Sequence, residues 1–203
     1  MLEYDRLFLS SSYILTWLQN QPDGESIPGK GYNLSMPGPI EIELGKMLSV
    51  SGLTISVAES FTGGLIGHTI TNAPGSSRYF QGGVIAYANE VKMKILGVSE
   101  QTLIDYGAVS EQTVLEMARG VRSALKTDIG ISSSGIAGPD GGSLEKPVGL
   151  AWLGLSASEL EHAEKYVFSG DRYQIKERAT QTAIQLLIEF LAKLEQDFPK
   201  VRG

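Results

Sequence analysis

The stretch "TISVAESFTGGLIGHTITN", residues 54–72, decides how the rest of the chain is read. Thr54, Ile55 and Val57 are β-branched, and "TISVAE" has the composition and length of a strand. Gly63 and Gly64 then break it, because a glycine pair marks a change of chain direction. From there "GGLIGHTITN" reads as a helix. A strand, a glycine turn and a helix in immediate succession form the repeating unit of an α/β fold.

Working outward, the same alternation continues in both directions. Upstream, "IEIELGKMLSVSG" (40–52) reads as a helix ending at Gly52. Downstream, the turn "APGSS" leads into "YFQGGVIAY" (79–87), with the content of a buried strand, and then into "NEVKMKILG" (89–97), a helix with Asn89 as its cap. Ser110 caps another helix, whose buried stripe is Val114, Met117, Val121 and Leu125. "DIGISSS", "VGLAWLGLS" and "EKYVFS" are further strands, the last two paired as a hairpin. Asp171 caps a long final helix with Ile175, Ala179, Leu186, Leu187, Phe190 and Leu194 on its core face. The expected fold is an α/β, three-layer-like sandwich with a mixed, mostly parallel sheet flanked by helices.

Residues 1–39 differ. An apolar start, "LFLSSSYILTWL", precedes the Pro- and Gly-rich "QNQPDGESIPGKGYNLSMPGP". This reads as an N-terminal extension and linker, with residues 40–203 as the functional domain. Tyr13, Ile14, Trp17 and Leu18 offer apolar surface for docking on that domain or on another subunit.

Composition narrows the chemistry. Among 203 residues, 17 Lys and Arg stand against 23 Asp and Glu, a net charge of -6 that argues against a nucleic-acid surface while allowing a small anionic ligand. No run approaches the roughly 20 apolar residues of a membrane span, and no secretory signal is visible, so a cytoplasmic protein without membrane contact is expected. Zero cysteines exclude thiolate nucleophiles and Cys-based zinc sites. The two histidines, His68 and His162, form no paired-ligand motif, so no metal is expected. Their scarcity also disfavours a Ser-His-Asp triad, and any serine nucleophile would look to Lys or Tyr for its base.

Four polar clusters fall at predicted strand ends, where α/β folds bind ligands. In "ESFTGG", a helix starting near Thr62 would aim free amides at Ser60 or an anion beside it; Ser60 is then either a nucleophile or a simple cap. In "YANEVK", Lys92 lies in the first turn of its helix, against the dipole, which with burial would lower its pKa as a general base requires; Tyr87 could relay the proton or hold the amine. An exposed, solvated Lys92 is the alternative. "SSGIAGPDGG" matches neither a Walker A loop nor a dinucleotide turn, but its unhindered amides after Ser134 suit wrapping a small ligand, with Asp140, Glu145 and Lys146 as polar options. In "FSGDR", Arg172 beside a helix start suits a phosphate monoester, or else a surface pair with Glu177.

Together, "AESFTGG", "GSSRYFQGGVIAYANEVK", "GAVSEQTV", "SGIAGPDGGSLEKPVG" and "FSGDR", in that order over about residues 40–194, resemble the C-terminal domain of the CinA competence/damage-inducible protein family. Stand-alone members of that family are nicotinamide mononucleotide (NMN) deamidases of the PncC type. The resemblance implies hydrolysis of the nicotinamide amide of NMN to nicotinate mononucleotide and ammonia, with no cofactor. It places the family's nucleophile on Ser60, its tyrosine on Tyr87 and its lysine on Lys92. Substrate contacts would fall on Thr62, Gly63, Gly64, Ser134, Gly135 and Arg172. It also suggests a homo-oligomer. Phe61 stands where some relatives carry Cys, and residues 1–39 have no likeness to the pyrophosphatase-type domain that precedes this one in full-length members, so that domain's activity is not expected. The competing reading is a non-catalytic module of the same family that binds a nucleotide or a partner.

Overall fold

The computed structural model describes residues 39–158 and 160–197. The expected N-terminal extension thus lies almost wholly outside the described residues. Six α-helices and five strands are described: α1 Ile40–Ser51, β1 Ile55–Glu59, α2 Leu65–Thr71, β2 Phe80–Ile85, α3 Asn89–Leu96, α4 Glu100–Asp105, α5 Glu111–Leu125, β3 Ile129–Gly135, β4 Leu150–Ala157, β5 Leu160–Val167 and α6 Arg172–Asp197. A 3-10 turn at Ser76–Arg78 precedes β2.

The strands form one sheet in the order β2-β1-β3-β4-β5. β1 pairs in parallel with β2 and β3, whereas β3–β4 and β4–β5 are antiparallel. Four strands therefore run one way and β4 alone runs back, which is the expected mixed sheet with its hairpin. Alternation across the pleat divides β1 between two layers. Ile55 and Val57 pack with Ile66, Ile70, Ile184 and Leu187 beneath α1, α2 and α6. Ala58 faces the opposite way, into a cluster with Leu96, Met117 and Val121 beneath α3 and α5. All five residues of β1 are buried, because it has a strand on each side and a helical layer on each face.

The α5 layer sits close to the sheet because the strands present small residues to it. A Cβ on Gly130 would collide with the Ala118 carbonyl, and one on Gly154 would lie 2.7 Å from the Val114 carbonyl. Ser132 Oγ donates to Val114 O at 2.6 Å, so even the hydroxyl in this strip is satisfied by the helix. Val114, Met117 and Val121 are fully buried, as their spacing predicts. Truncating Met117 to alanine in such a place should cost about 2–5 kcal/mol.

Four local expectations are corrected. β2 is an edge strand with alternate residues exposed; its apolar content suggested burial, but only one side of it is paired within the sheet. Ala88, not Asn89, caps α3, and no side chain closes that cap. α2 begins at Leu65 rather than near Thr62, since Gly63 and Gly64 both hold positive φ (64° and 96°) that a helix cannot continue through. The last strand starts four residues earlier than expected, at Leu160. The short helix α4, capped by Ser99, was not foreseen. Asp171 does close α6: its carboxylate accepts from Gln174 N at 2.9 Å while Gln174 Oε1 accepts from Asp171 N at 3.0 Å, a reciprocal capping box.

Candidate active site

The chain leaves β1 toward the α1–α2–α6 face and leaves β2 toward the α3–α5 face. Adjacent parallel strands whose connections depart to opposite faces open a crevice at their carboxyl ends. Ser60 follows β1 and Tyr87 follows β2, so both stand at that crevice.

Lys92 enters from the side. It is the fourth residue of α3, and helical side chains lean back toward the N-terminus, which carries its amine under the end of β2. Nζ donates to Ala86 O at 2.8 Å, to Ser60 Oγ at 3.1 Å and, at the long limit of 3.4 Å, to Tyr87 O. The residue is 1% exposed, so the solvated alternative is ruled out. None of its partners is a carboxylate. Burial pushes the Lys92 ammonium below the ordinary lysine pKa, because taking a charge out of water without a counter-ion favours the neutral amine. A neutral amine keeps two N–H donors for the two carbonyls and turns a lone pair to the Ser60 hydroxyl. That arrangement can take a proton from Ser60.

Ser60 is held by its backbone. Its N–H donates to Ser133 O at 3.0 Å, continuing the β1–β3 ladder, and its carbonyl accepts from Gly63 N at 3.1 Å, closing the turn. The side chain is 8% exposed, screened but reachable.

The start of α2 behaves differently from expectation. The carboxylate of Glu59, itself buried, accepts from Gly64 N (2.9 Å), Ile66 N (3.1 Å) and Gly67 N (2.8 Å). The helix-start amides expected to face Ser60 or an anion are therefore occupied by the protein's own side chain, which also neutralises the positive end of the helix dipole. Among the described hydrogen bonds, none uses the amides of Phe61 or Thr62, the two that directly follow Ser60. Thr62 is fully buried, and its hydroxyl bonds Ser133 Oγ at 2.7 Å.

Tyr87 and Arg172 meet at the outer rim. Arg172 Nη2 donates to the Tyr87 hydroxyl at 3.0 Å and Nη1 to Gly138 O at 2.9 Å. The Tyr87 hydroxyl is thus paired with Arg172 rather than with Lys92, which touches only the Tyr87 carbonyl, a backbone atom; the Tyr87 side chain makes no hydrogen bond to the amine, so this geometry gives it neither the relay nor the holding contact. Arg172 forms no ion pair among the described residues, so Glu177 is not its partner.

The β3 loop is more structural than its sequence suggested. Ser134 Oγ donates to Ala108 O at 2.6 Å, tying β3 to the segment before α5. Gly135 is needed for packing: a Cβ there would lie 2.9 Å from the Phe61 ring and 2.7 Å from Leu150 O. Lys146 is spent on Tyr106 O (2.6 Å) and Val109 O (2.9 Å). Among the described hydrogen bonds, the Gly138 carbonyl is the atom that ties this loop to another site residue, Arg172.

Bonds among Ser60, Lys92, Tyr87, Arg172 and Gly138 thus join the four expected clusters at one end of the sheet. Sequence reasoning missed Glu59 and Ser133. Glu59 carried a signal, a carboxylate at the last strand position just before a helix start. Ser133 was hidden in a run of three serines.

Similarity to known proteins agrees with this architecture. The model of the CinA C-terminal domain matches residues 38–191. A relative in Halothermothrix orenii, named for competence-damage induction, is 54% identical over 150 residues, which is 73% of this chain and 36% of that protein. The chain therefore spans about a third of the length of that relative. Among solved structures, a CinA superfamily protein of Klebsiella pneumoniae is 30% identical with a TM-score of 0.74, covering 76% of this chain and 96% of the other. The competence/damage inducible protein of Agrobacterium tumefaciens is 38% identical with a TM-score of 0.72 over the same shares. With its sheet order, its strand-end clusters and these matches in accord, the chain belongs to the CinA C-terminal domain family.

Proposed function

We propose that the chain is an amidohydrolase that converts nicotinamide mononucleotide to nicotinate mononucleotide and ammonia. The observation that carries this reading is the 3.1 Å contact between Ser60 Oγ and a buried Lys92 amine that has no carboxylate partner. The choice of substrate rests on the family resemblance of the motifs around that pair.

Ser60 Oγ adds to the carboxamide carbon while its proton passes to the neutral Lys92 amine. The carbonyl electron pair moves onto oxygen, and the amides of Phe61 and Thr62 are the donors nearest in sequence to stabilise it. Collapse of this intermediate breaks the C–N bond, and the leaving nitrogen takes the proton from Lys92 and departs as ammonia. Water, giving its proton to the same amine, then cleaves the acyl-serine to release the carboxylate and restore the hydroxyl. Arg172, steered by Tyr87 and Gly138, faces the phosphate.

A binding module has less to explain a buried lysine against a serine, because a desolvated amine is costly to maintain and adds nothing to passive binding. Ammonia release from NMN by the purified protein tests the proposal. Ser60→Ala should lower kcat by about three orders of magnitude or more, and Lys92→Ala by about 10²–10⁴. Unchanged rates in both variants would sink the assignment.

A further inference from the structure

Lys176 stands one helical turn after Arg172 on α6, so both side chains leave the same face of the helix. Its ammonium lies over the Ser60 turn: a Cβ built on Gly63 would be 3.4 Å from Lys176 Nζ. The carbonyl of Ser60 accepts from Gly63 N, so this is the same turn that presents the nucleophile. Lys176 is half-buried, and its ammonium has neither a hydrogen bond nor an ion pair among the described residues. Arg172 likewise bonds only neutral oxygens, those of Tyr87 and Gly138. Two carboxylates that flank the site in sequence are otherwise employed, Asp171 in capping α6 and Glu59 in holding α2. Two uncompensated cations at one mouth, in a chain with a net charge of -6, are a local departure from the protein's overall sign.

We infer that Lys176 is a specificity-determining residue that, together with Arg172, grips a dianionic phosphate monoester, so that the site selects a phosphorylated nucleotide over its nucleoside. The inference rests on the reading of the site as a nucleotide amidase, but it concerns the anion alone. Gly63 belongs to the same device. Without a side chain there, nothing stands between the turn and the ammonium that lies against it. Arg172 supplies a planar pair of donors and Lys176 a compact point charge, a division suited to a tetrahedral group with three free oxygens.

The test uses the full chain, with ribose 5-phosphate as probe and calorimetric binding as the readout. Lys176→Met should weaken binding about ten- to a hundredfold, the range for one charge-assisted hydrogen bond, and Lys176→Arg should restore most of it. In turnover, Lys176→Met should lower the ratio of kcat/KM for NMN over nicotinamide riboside by a similar factor, acting mainly through KM. Unaltered binding of ribose 5-phosphate in Lys176→Met, or no binding by the unmodified protein, overturns the inference. Lys176-dependent binding without any ammonia release leaves the anion site standing and removes the amidase reading instead.

Discussion

Ser60 and Ser134 stand beside each other at the carboxyl ends of β1 and β3, where the ladder pairs Glu59 with Ser133 and runs on through Ser60 N–H. Each is followed by a glycine-bearing turn, both are buried, and both hydroxyls find a partner. The partners differ in kind. Ser134 meets the Ala108 carbonyl, which can only accept, so its proton is fixed in a structural bond. Ser60 meets an amine that burial drives toward its neutral form, and a neutral amine can take a proton. Two chemically identical side chains a strand apart are thus separated in role by what the crossing segments deliver to them.

The contrast breaks most visibly if the two serines are removed in turn. Ser60→Ala should abolish ammonia release while leaving the fold intact, the largest effect expected anywhere in the molecule. Raising pH should sharpen it next. As the depressed Lys92 pKa is crossed from below, kcat/KM should rise about tenfold per unit until the amine is neutral, then level off. Stability follows the same group. Its folded pKa lies below its unfolded value of about 10.4, so between the two unfolding takes up a proton and stability climbs with pH. Lys92→Met should remove that climb in urea titrations across the alkaline range; a slope identical to the unmodified protein would show that the amine is not the titrating group.

Smaller effects follow from the supports. Glu59→Gln keeps the shape of the side chain but surrenders the charge that three amides share, and should cost about 3 kcal/mol with a fall in kcat, since Ser60 is the next residue. Ser134→Ala should cost about 1 kcal/mol by leaving Ala108 O unpaired, with turnover within a few-fold. Loss of activity in Ser134→Ala at undiminished stability would restore it to the substrate contacts that the family resemblance implies.

The sequence made the layers of this fold legible because each rests on local periodicity. The α5 stripe, the α6 core face and the Asp171 cap were all readable, as was the hairpin of β4 and β5. Strand position was not. Phe80 to Ile85 has apolar, β-branched content, and nothing within it reveals that a neighbour lies on one side only. For the site, Lys92 was conspicuous as a cation near a helix start, whereas its three oxygen partners come from two other segments brought together by folding. The role of Ser134 turned on which face of β3 it occupies and on what lies across from it, and nothing in the sequence singles out Lys176, one of several charged residues on the final helix.

The edge position of β2 has a bearing on motion. Ser60 extends from the strand best enclosed by the fold, while the carbonyls of Ala86 and Tyr87 that hold the Lys92 amine extend from one supported on a single side. Local opening of a protein begins where backbone pairing and burial are thinnest. The dyad therefore bridges a slow-opening and a fast-opening part of the molecule, and warming would part the amine from the hydroxyl by fraying the edge before the central strands gave way.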